Sequence, residues 1–271
     1  VPDRAGTGSD TAGGEGVLLA VGLDHGPGEP GKEAPWTDGL TRAVVEVVAA
    51  APGVTRGSAY RLVGPDVRGD LGPGRLLLFE VAGDREVRSL VERIAAETAA
   101  GTGSVPEARW EMTWRRHPGF THTLGDEGDP YLFLVGMDVP DGTDTAGLAA
   151  FNAFYRETHL AEVVAAMGFR RAVRWEADRV WRHPEPGCPR FLAAYEGDEE
   201  VIRAQADPAG RPAMQMEGPP AWNGRRTAWR LLYRRIAGVS ARGGDPHREP
   251  RTRAFSNPRP ALHGRAEHTA P

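Results

Sequence analysis

The sequence predicts an α+β protein made of two copies of one strand-helix-strand-strand-helix-strand unit. Three observations carry this expectation. Short apolar runs of strand length alternate with stretches in which apolar residues recur at helical spacing. The order of these elements is the same in the two halves of the chain. Similar phrases also recur at a separation of roughly 115 residues, a period that indicates a duplicated domain.

Taken in order, Val1 to Glu15 is rich in Gly, Asp, Ser and Thr without periodicity and is expected to be a disordered leader. Gly16 to Asp24 (GVLLAVGLD) has the length and apolar content of a strand. Trp36 to Ala51 places Leu40, Val44, Val47, Val48 and Ala51 on one helical face and ends at Pro52-Gly53. Strands follow at Val54 to Gly64 and Arg75 to Ala82, and Asp84 is positioned to cap a helix whose stripe is Val87, Leu90, Val91, Ile94 and Ala95. Ala108 to Arg116 (ARWEMTWRR) completes the first copy.

The second copy repeats this order. YLFLVGMDVP from Tyr131 matches GVLLAVGLD, with Gly136 and Asp138 where Gly22 and Asp24 stood. MGFRRAVRW aligns with PGVTRGSAY, PRFLAAYEGDEEVIRA with GRLLLFEVAGDREVRSL, and TAWRLLYRR with ARWEMTWRR. The expected organisation is therefore a leader over 1–15, a first repeat over 16–120, a linker over 121–130 containing His122, a second repeat over 131–236 and a disordered tail over 237–271. His117 is also placed with the linker. One copy alone makes a four-stranded antiparallel sheet with both helices on one face, so its bare face must be buried against the other copy.

Composition narrows the function. No apolar run approaches the roughly 18 to 20 residues of a spanning helix and no signal pattern opens the chain, so a soluble, cytoplasmic protein without membrane contact is expected. The single cysteine, Cys188, excludes an internal disulfide and multi-cysteine metal sites. A net charge of −4 gives no electrostatic reason for nucleic-acid binding. No G-x-G-x-x-G turn opens a helix directly after a strand, no Walker loop is present, and the eight histidines are scattered without an H-E-x-x-H pattern. No metal or cofactor is expected. With Lys32 the only lysine, Schiff-base chemistry loses its residue.

The stretch Phe151 to Trp175 carries the chemistry. Phe151, Tyr155 and His159 recur at i, i+4 and i+8, which brings an imidazole onto an otherwise apolar face, and Gly168 is a natural left-handed stop before the next strand. A half-buried histidine can serve as base or acid near neutrality, which suits proton abstraction beside a carbonyl. Tyr155 could orient it or donate to an oxyanion. The alternative is that His159 fixes the helix end by a backbone hydrogen bond and that Tyr155 simply packs. Trp175, on the following strand, is the favoured ring for a flat ligand, with Phe151, Tyr195, Trp222 and Asp138 as further binding candidates. The segment Asp207 to Arg226, with Met214, Met216 and Trp222, is a candidate lid.

The pattern AFNAFYRETHLAEVVAAMGFRRAVRW followed by PRFLAAYE resembles the dimeric α+β barrel superfamily, in particular its EthD-like group, over about 100 residues of the second copy. The resemblance implies two ferredoxin-like repeats closing one barrel within a single chain, so that a monomer or a homodimer is equally compatible. It carries over Tyr155 and His159 in the Tyr-x-x-x-His-Leu segment. Related members include polyketide cyclases, cofactor-free monooxygenases, muconolactone-type isomerases, decarboxylases and some haem proteins. The first copy lacks an equivalent histidine, since its helix offers Val44, Val47, Val48 and Ala51. The expectation is a cofactor-independent acid/base enzyme acting on a carbonyl-rich aromatic or polyketide-like small molecule, with His159 as general base. A cofactor-free monooxygenase on a phenolic substrate, a non-catalytic binding or assembly subunit, and a haem protein with His159 as axial ligand are the alternatives.

Overall fold

In the computed structural model residues 16–24, 37–64, 72–83, 87–103, 108–123, 130–201 and 216–240 are described. The expected leader, the tail beyond residue 240, His25, Trp36, Asp84, Met214 and positions 207–215 of the candidate lid lie outside the described residues.

The first half contributes β1 (Val17–Leu23), α1 (Asp38–Ala49), β2 (Val54–Gly64), β3 (Arg75–Val81), α2 (Val87–Thr102) and β4 (Ala108–Thr123). The second contributes β5 (Tyr131–Asp138), α3 (Thr145–Phe154), a π-helical turn (Tyr155–His159), α4 (Leu160–Met167), β6 (Arg171–Arg182), β7 (Phe191–Gly197), α5 (Pro220–Asn223) and β8 (Arg226–Ser240). A helical segment also begins after Asp198, whose carboxylate accepts from the Val201 backbone N–H at 3.1 Å, the capping expected of Asp in this position.

Within the halves the strands run β4-β1-β3-β2 and β8-β5-β7-β6, the same order twice. The seams β2–β8 and β4–β6 join them into a closed, wholly antiparallel barrel of eight strands. The bare faces of the two sheets are thereby buried against each other, and neither has a free edge. The helices lie outside. Three apolar clusters result: an aliphatic layer under α1 and α2, an aromatic layer under α3 and α4, and the barrel interior, where Tyr60, Trp110, Trp114, Trp175, Trp229 and Tyr233 meet. The recurring Gly22 and Gly136 now have a steric reason. A Cβ at Gly22 would collide with the Pro73 ring and the Trp110 Cβ, and one at Gly136 with Pro189 and the indole of Trp229, so both strands need a glycine where a tryptophan of the neighbouring strand comes close.

One feature of the interior was not expected. Arg56 and Arg171, at matching positions of β2 and β6, meet Glu80 and Glu196 of β3 and β7. Arg171 contacts Glu196 at 2.6 Å and Glu80 at 3.1 Å, and Arg56 contacts Glu196 at 2.9 Å and Glu80 at 3.5 Å. Burial alone would push the Glu196 carboxyl up, but Arg171 and Arg56 outweigh it and hold the group below the usual carboxylate range. The quartet ties all four strands across the twofold relation of the repeats. A cavity of about 30 Å³ beside it has room for a water molecule.

Strand β4 corrects the linker expectation for its histidines. It continues past Arg116 to Thr123, so His117 and His122 lie in the strand. Its register against β6 pairs Arg116 with Trp175 and Thr121 with Val173. Residues 117–120 therefore bulge out opposite the one residue Arg174, and the Pro-Gly pair in His-Pro-Gly-Phe, with Gly119 at φ +72°, is the local cause.

Candidate active site between the second sheet and its helices

Asp144 caps α3 by accepting from Gly147 N–H at 2.7 Å, and Gly168, at φ +74°, ends α4. Between them the helix widens for one turn: the Leu160 N–H bonds to the Tyr155 carbonyl, five residues back. Such π turns are frequent at functional sites. This one brings Tyr155 and His159 edge to face, with ring centroids 4.7 Å apart.

His159 is the half-buried centre of a compact group. Its ring lies 4.3 Å from that of Trp222, and its Nδ1 is 3.2 Å from Met216 Sδ. A thioether can only accept, so Nδ1 carries the proton and Nε2 the lone pair. Trp222 is held in turn by its indole N–H donating to the Met216 carbonyl at 2.9 Å and by the Arg225 guanidinium stacked 3.5 Å from its ring. Burial, followed by the positive charges of Arg225 and Arg174, pushes the His159 pKa down to about 3. The imidazole is uncharged at neutral pH.

The fully buried Tyr155 shares a hydrogen bond of 3.0 Å with Tyr195. Two hydroxyls bonded to each other use one proton in the bond, which leaves one O–H free to donate elsewhere. Burial pushes both phenols up, so neither ionises near neutrality.

The most unusual group is Arg174 on β6. Its side chain is fully buried, and Nε, Nη1 and Nη2 have no hydrogen-bond partner. The guanidinium is boxed by Tyr155 at 4.3 Å, Phe191 at 4.4 Å, Phe151 at 4.7 Å and Phe120, from the β4 bulge, at 5.0 Å. Burial lowers its pKa to about 10, with nearby Tyr155 and Glu176 opposing the shift. Cation–π contacts return about 0.5 to 2 kcal/mol each, whereas an uncompensated buried ion costs several kcal/mol. Arg174 is thus a desolvated positive charge held among aromatic rings.

The structure brings Tyr155, His159, Phe151, Tyr195 and Trp222 together in this layer. It separates the other two. Trp175 lies in the barrel interior, because alternation along β6 sends Val173 and Trp175 inward and Ala172 and Arg174 toward the helices. The residue that the strand after the histidine helix contributes to this layer is Arg174. Asp138 caps the end of β5, accepting from the Arg190 N–H at 2.8 Å and from Arg226 Nη2 at 2.7 Å, beside an open groove of about 790 Å³ shared with Cys188. Asp24 holds Gly74 and Arg109 in the same way in the first half. Among the described residues the first half shows no counterpart of the site, since the layer under α1 and α2 is aliphatic apart from Phe79.

Haem does not fit this arrangement. Trp222 and Tyr155 crowd the His159 ring, with centroids 4.3 and 4.7 Å away, where a macrocycle bound through that ring would lie. Among the described residues no group of three or more His, Cys, Asp or Glu side chains is placed to hold a metal ion, and no helix is long and apolar enough to cross a membrane.

The depressed His159 pKa has a measurable consequence. The unfolded chain, with an ordinary histidine, binds the proton near pH 6.5 and the folded chain near 3, so stability is complete above pH 6.5 and falls as the pH drops toward 3. Between pH 7 and pH 4 the loss from this group is on the order of 3 kcal/mol. Urea unfolding should show that the His159→Phe variant lacks that share of the acid sensitivity; equal pH slopes for variant and wild type would contradict it.

No family model matches the chain, and no curated protein is similar to it at a significant level. Solved structures do share the fold. An anthrone oxidase-like protein is 15% identical with a TM-score of 0.50, the match covering 84% of this chain and 94% of that one. A chlorite dismutase candidate, TA0507, is 13% identical with a TM-score of 0.51, covering 82% and 95%. A monooxygenase candidate, FN1347, from Fusobacterium nucleatum subsp. nucleatum is 7% identical with a TM-score of 0.50, covering 84% and 95%. The chain accordingly has the α+β barrel fold of these chlorite dismutase-like and monooxygenase-like proteins.

Proposed function

We propose that the aromatic layer of the second half binds the enolate or phenolate form of a flat, carbonyl-bearing aromatic metabolite, and that the chain is a cofactor-independent acid/base enzyme acting on it. The observation that carries this reading is Arg174, a buried guanidinium without a hydrogen-bond partner. An oxyanion beside it would supply the missing partner with a charge-assisted hydrogen bond. The spare proton of the Tyr155–Tyr195 pair would donate to the same oxygen. Preorganised donors aimed at developing negative charge stabilise the enolate through which cyclisation, isomerisation, dehydration and decarboxylation of such compounds pass. His159, uncharged, would accept a hydrogen bond from a substrate hydroxyl through Nε2.

A second reading, cofactor-free monooxygenation, starts from the same anion and is favoured by the names of two of the similar structures. With anthrone as the compound it balances as C14H10O + O2 → C14H8O2 + H2O: the anion gives its electrons to dioxygen, and one oxygen atom leaves as water.

Anthrone, whose enolate absorbs at longer wavelength than the ketone, tests both. Titrated anaerobically at pH 7 into the full chain, it is expected to show the enolate spectrum when bound. Binding without ionisation, or no binding, would overturn the enzyme reading. Admitting oxygen then separates the chemistries, since uptake of one O2 per anthrone identifies the monooxygenase.

A further inference from the structure

The proposed site needs a proton acceptor, and a histidine held near pKa 3 is a weak one. A second imidazole borders the same aromatic box. His117 opens the β4 bulge, and its ring lies 5.2 Å from Phe120 and 6.2 Å from Phe191, two of the four rings that enclose Arg174. Its Nε2 is 2.8 Å from Glu176 Oε2, an ion-pair contact whose geometry falls short of an aligned hydrogen bond. Glu176 Oε1 in turn accepts from Arg190 Nε at 2.8 Å. Arg174 and Tyr155 are sealed from water, but the His117 and Glu176 side chains retain 18% and 28% of their exposure. The pair therefore spans the wall between the dry box and solvent. Arg116 closes the base of the bulge by donating to Thr121 Oγ1 at 2.7 and 3.2 Å, which keeps residues 117–120 folded over Arg174.

We propose that His117, positioned by Glu176, takes the substrate's proton and carries it to solvent. The inference rests on the enolate-binding reading above. In the step, a C–H bond beside the carbonyl breaks, the proton moves to Nδ1 of His117, and the electron pair passes into the carbonyl oxygen beside Arg174. The resulting imidazolium faces the Glu176 carboxylate and gives its proton to water. The charged groups facing His117 are Glu176 and Arg174 of β6 and Arg190, just ahead of β7. Burial and then Arg174 lower its pKa while Glu176 opposes them, so it is neutral and ready to accept at pH 7.

The test is anaerobic exchange of the anthrone C10 protons with D2O, followed by proton NMR on the full chain. His117→Gln should slow the enzyme-dependent exchange about 100-fold while bound anthrone still shows its affinity, and added imidazole should restore part of the rate. Glu176→Gln should slow exchange less and shift the acid limb of its pH profile, which a merely structural role would not move. Circular dichroism and a melting curve identify any variant that fails to fold, in which case His117→Asn replaces it. If wild type binds and exchanges anthrone and folded His117→Gln does so equally fast, the relay is wrong and the binding reading stands. If wild type neither binds nor exchanges it, the reading fails and takes the relay with it.

Discussion

Replacing Arg174 by methionine raises the stability of the protein and removes its ability to ionise a bound ligand. The two effects have one origin. Burial lowers the pKa of this guanidinium to about 10, well below the ordinary arginine range, which is on the order of 3 kcal/mol against the charged form. Methionine fills much of the same space without the charge, and exchanges of buried ions for apolar side chains stabilise by about 1 to 4 kcal/mol. After subtracting four cation–π contacts at about 0.5 kcal/mol each, about 1 kcal/mol remains, a rise in Tm of roughly 2 to 4 °C. The folded pKa lies below the unfolded one, so the penalty is complete below pH 10 and fades as the pH climbs toward the ordinary arginine range. Calorimetry at pH 8 and pH 11 should therefore show the advantage of Arg174→Met shrinking at the higher pH. In the anthrone titration the variant should leave the ligand as neutral ketone. A large fall in Tm would instead mark Arg174 as a structural cation.

Glu196→Gln should have the opposite effect on stability, and a larger one. This carboxylate, 6% exposed, receives Arg171 at 2.6 Å and Arg56 at 2.9 Å. Its loss leaves two buried guanidinium groups sharing Glu80, whose side chain is 20% exposed. Removing one partner of a buried ionic network costs about 3 to 5 kcal/mol, or a Tm lower by about 10 °C. Glu80→Gln, closer to water, should cost clearly less. Because the folded pKa of Glu196 is depressed, its contribution is present above the ordinary carboxylate pKa and disappears as the pH falls through the folded value. The wild-type advantage over Glu196→Gln should thus narrow in acid. Urea unfolding at pH 7 and pH 3 checks this, and a deficit that persists unchanged in acid would mean that the charge of Glu196 is not what matters.

Much of the architecture was legible because it rests on periodicity. Alternation and helical spacing mark the strands and helices, and the doubled Gly-Asp, Glu-Val and Trp-Arg phrases disclose two equivalent halves, which the closed barrel then satisfies. Five of the seven site candidates meet in one layer for the same reason, since a stripe on α3 and α4 must face β7. What escaped depends on facts without a local pattern. The face taken by Trp175 required knowing whether Val173 points inward, and the segment RRAVRW offers large residues to both sides. Arg174 was visible as a charge facing the same way as Ala172, an anomaly in a strand meant to be covered by helices. The bulge that aligns His117 and Phe120 with it was announced only by Pro-Gly inside an otherwise regular strand. The quartet of Arg56, Glu80, Arg171 and Glu196 depends on pairing across strands far apart in sequence, to which no single-segment rule gives access.

The widened turn at Tyr155–His159 works as a phase correction. At about 100° per residue, Phe151 and Leu160 would fall on opposite sides of an unbroken α-helix, yet both are buried against the sheet. A turn closed over five residues holds one residue more than its α-helical equivalent, and that surplus rotates the downstream stripe of Leu160, Val163 and Val164 back toward the one begun by Phe151 and Tyr155. In genetic terms the surplus is one codon. Losing it would leave a regular α-helix in which Phe151 and Leu160, then eight residues apart, fall within about 80° of each other, so the sheet would stay covered and only the widened turn that presents the imidazole would go. The irregularity that supplies the site with its histidine thus leaves the cover of the sheet by a single helix intact.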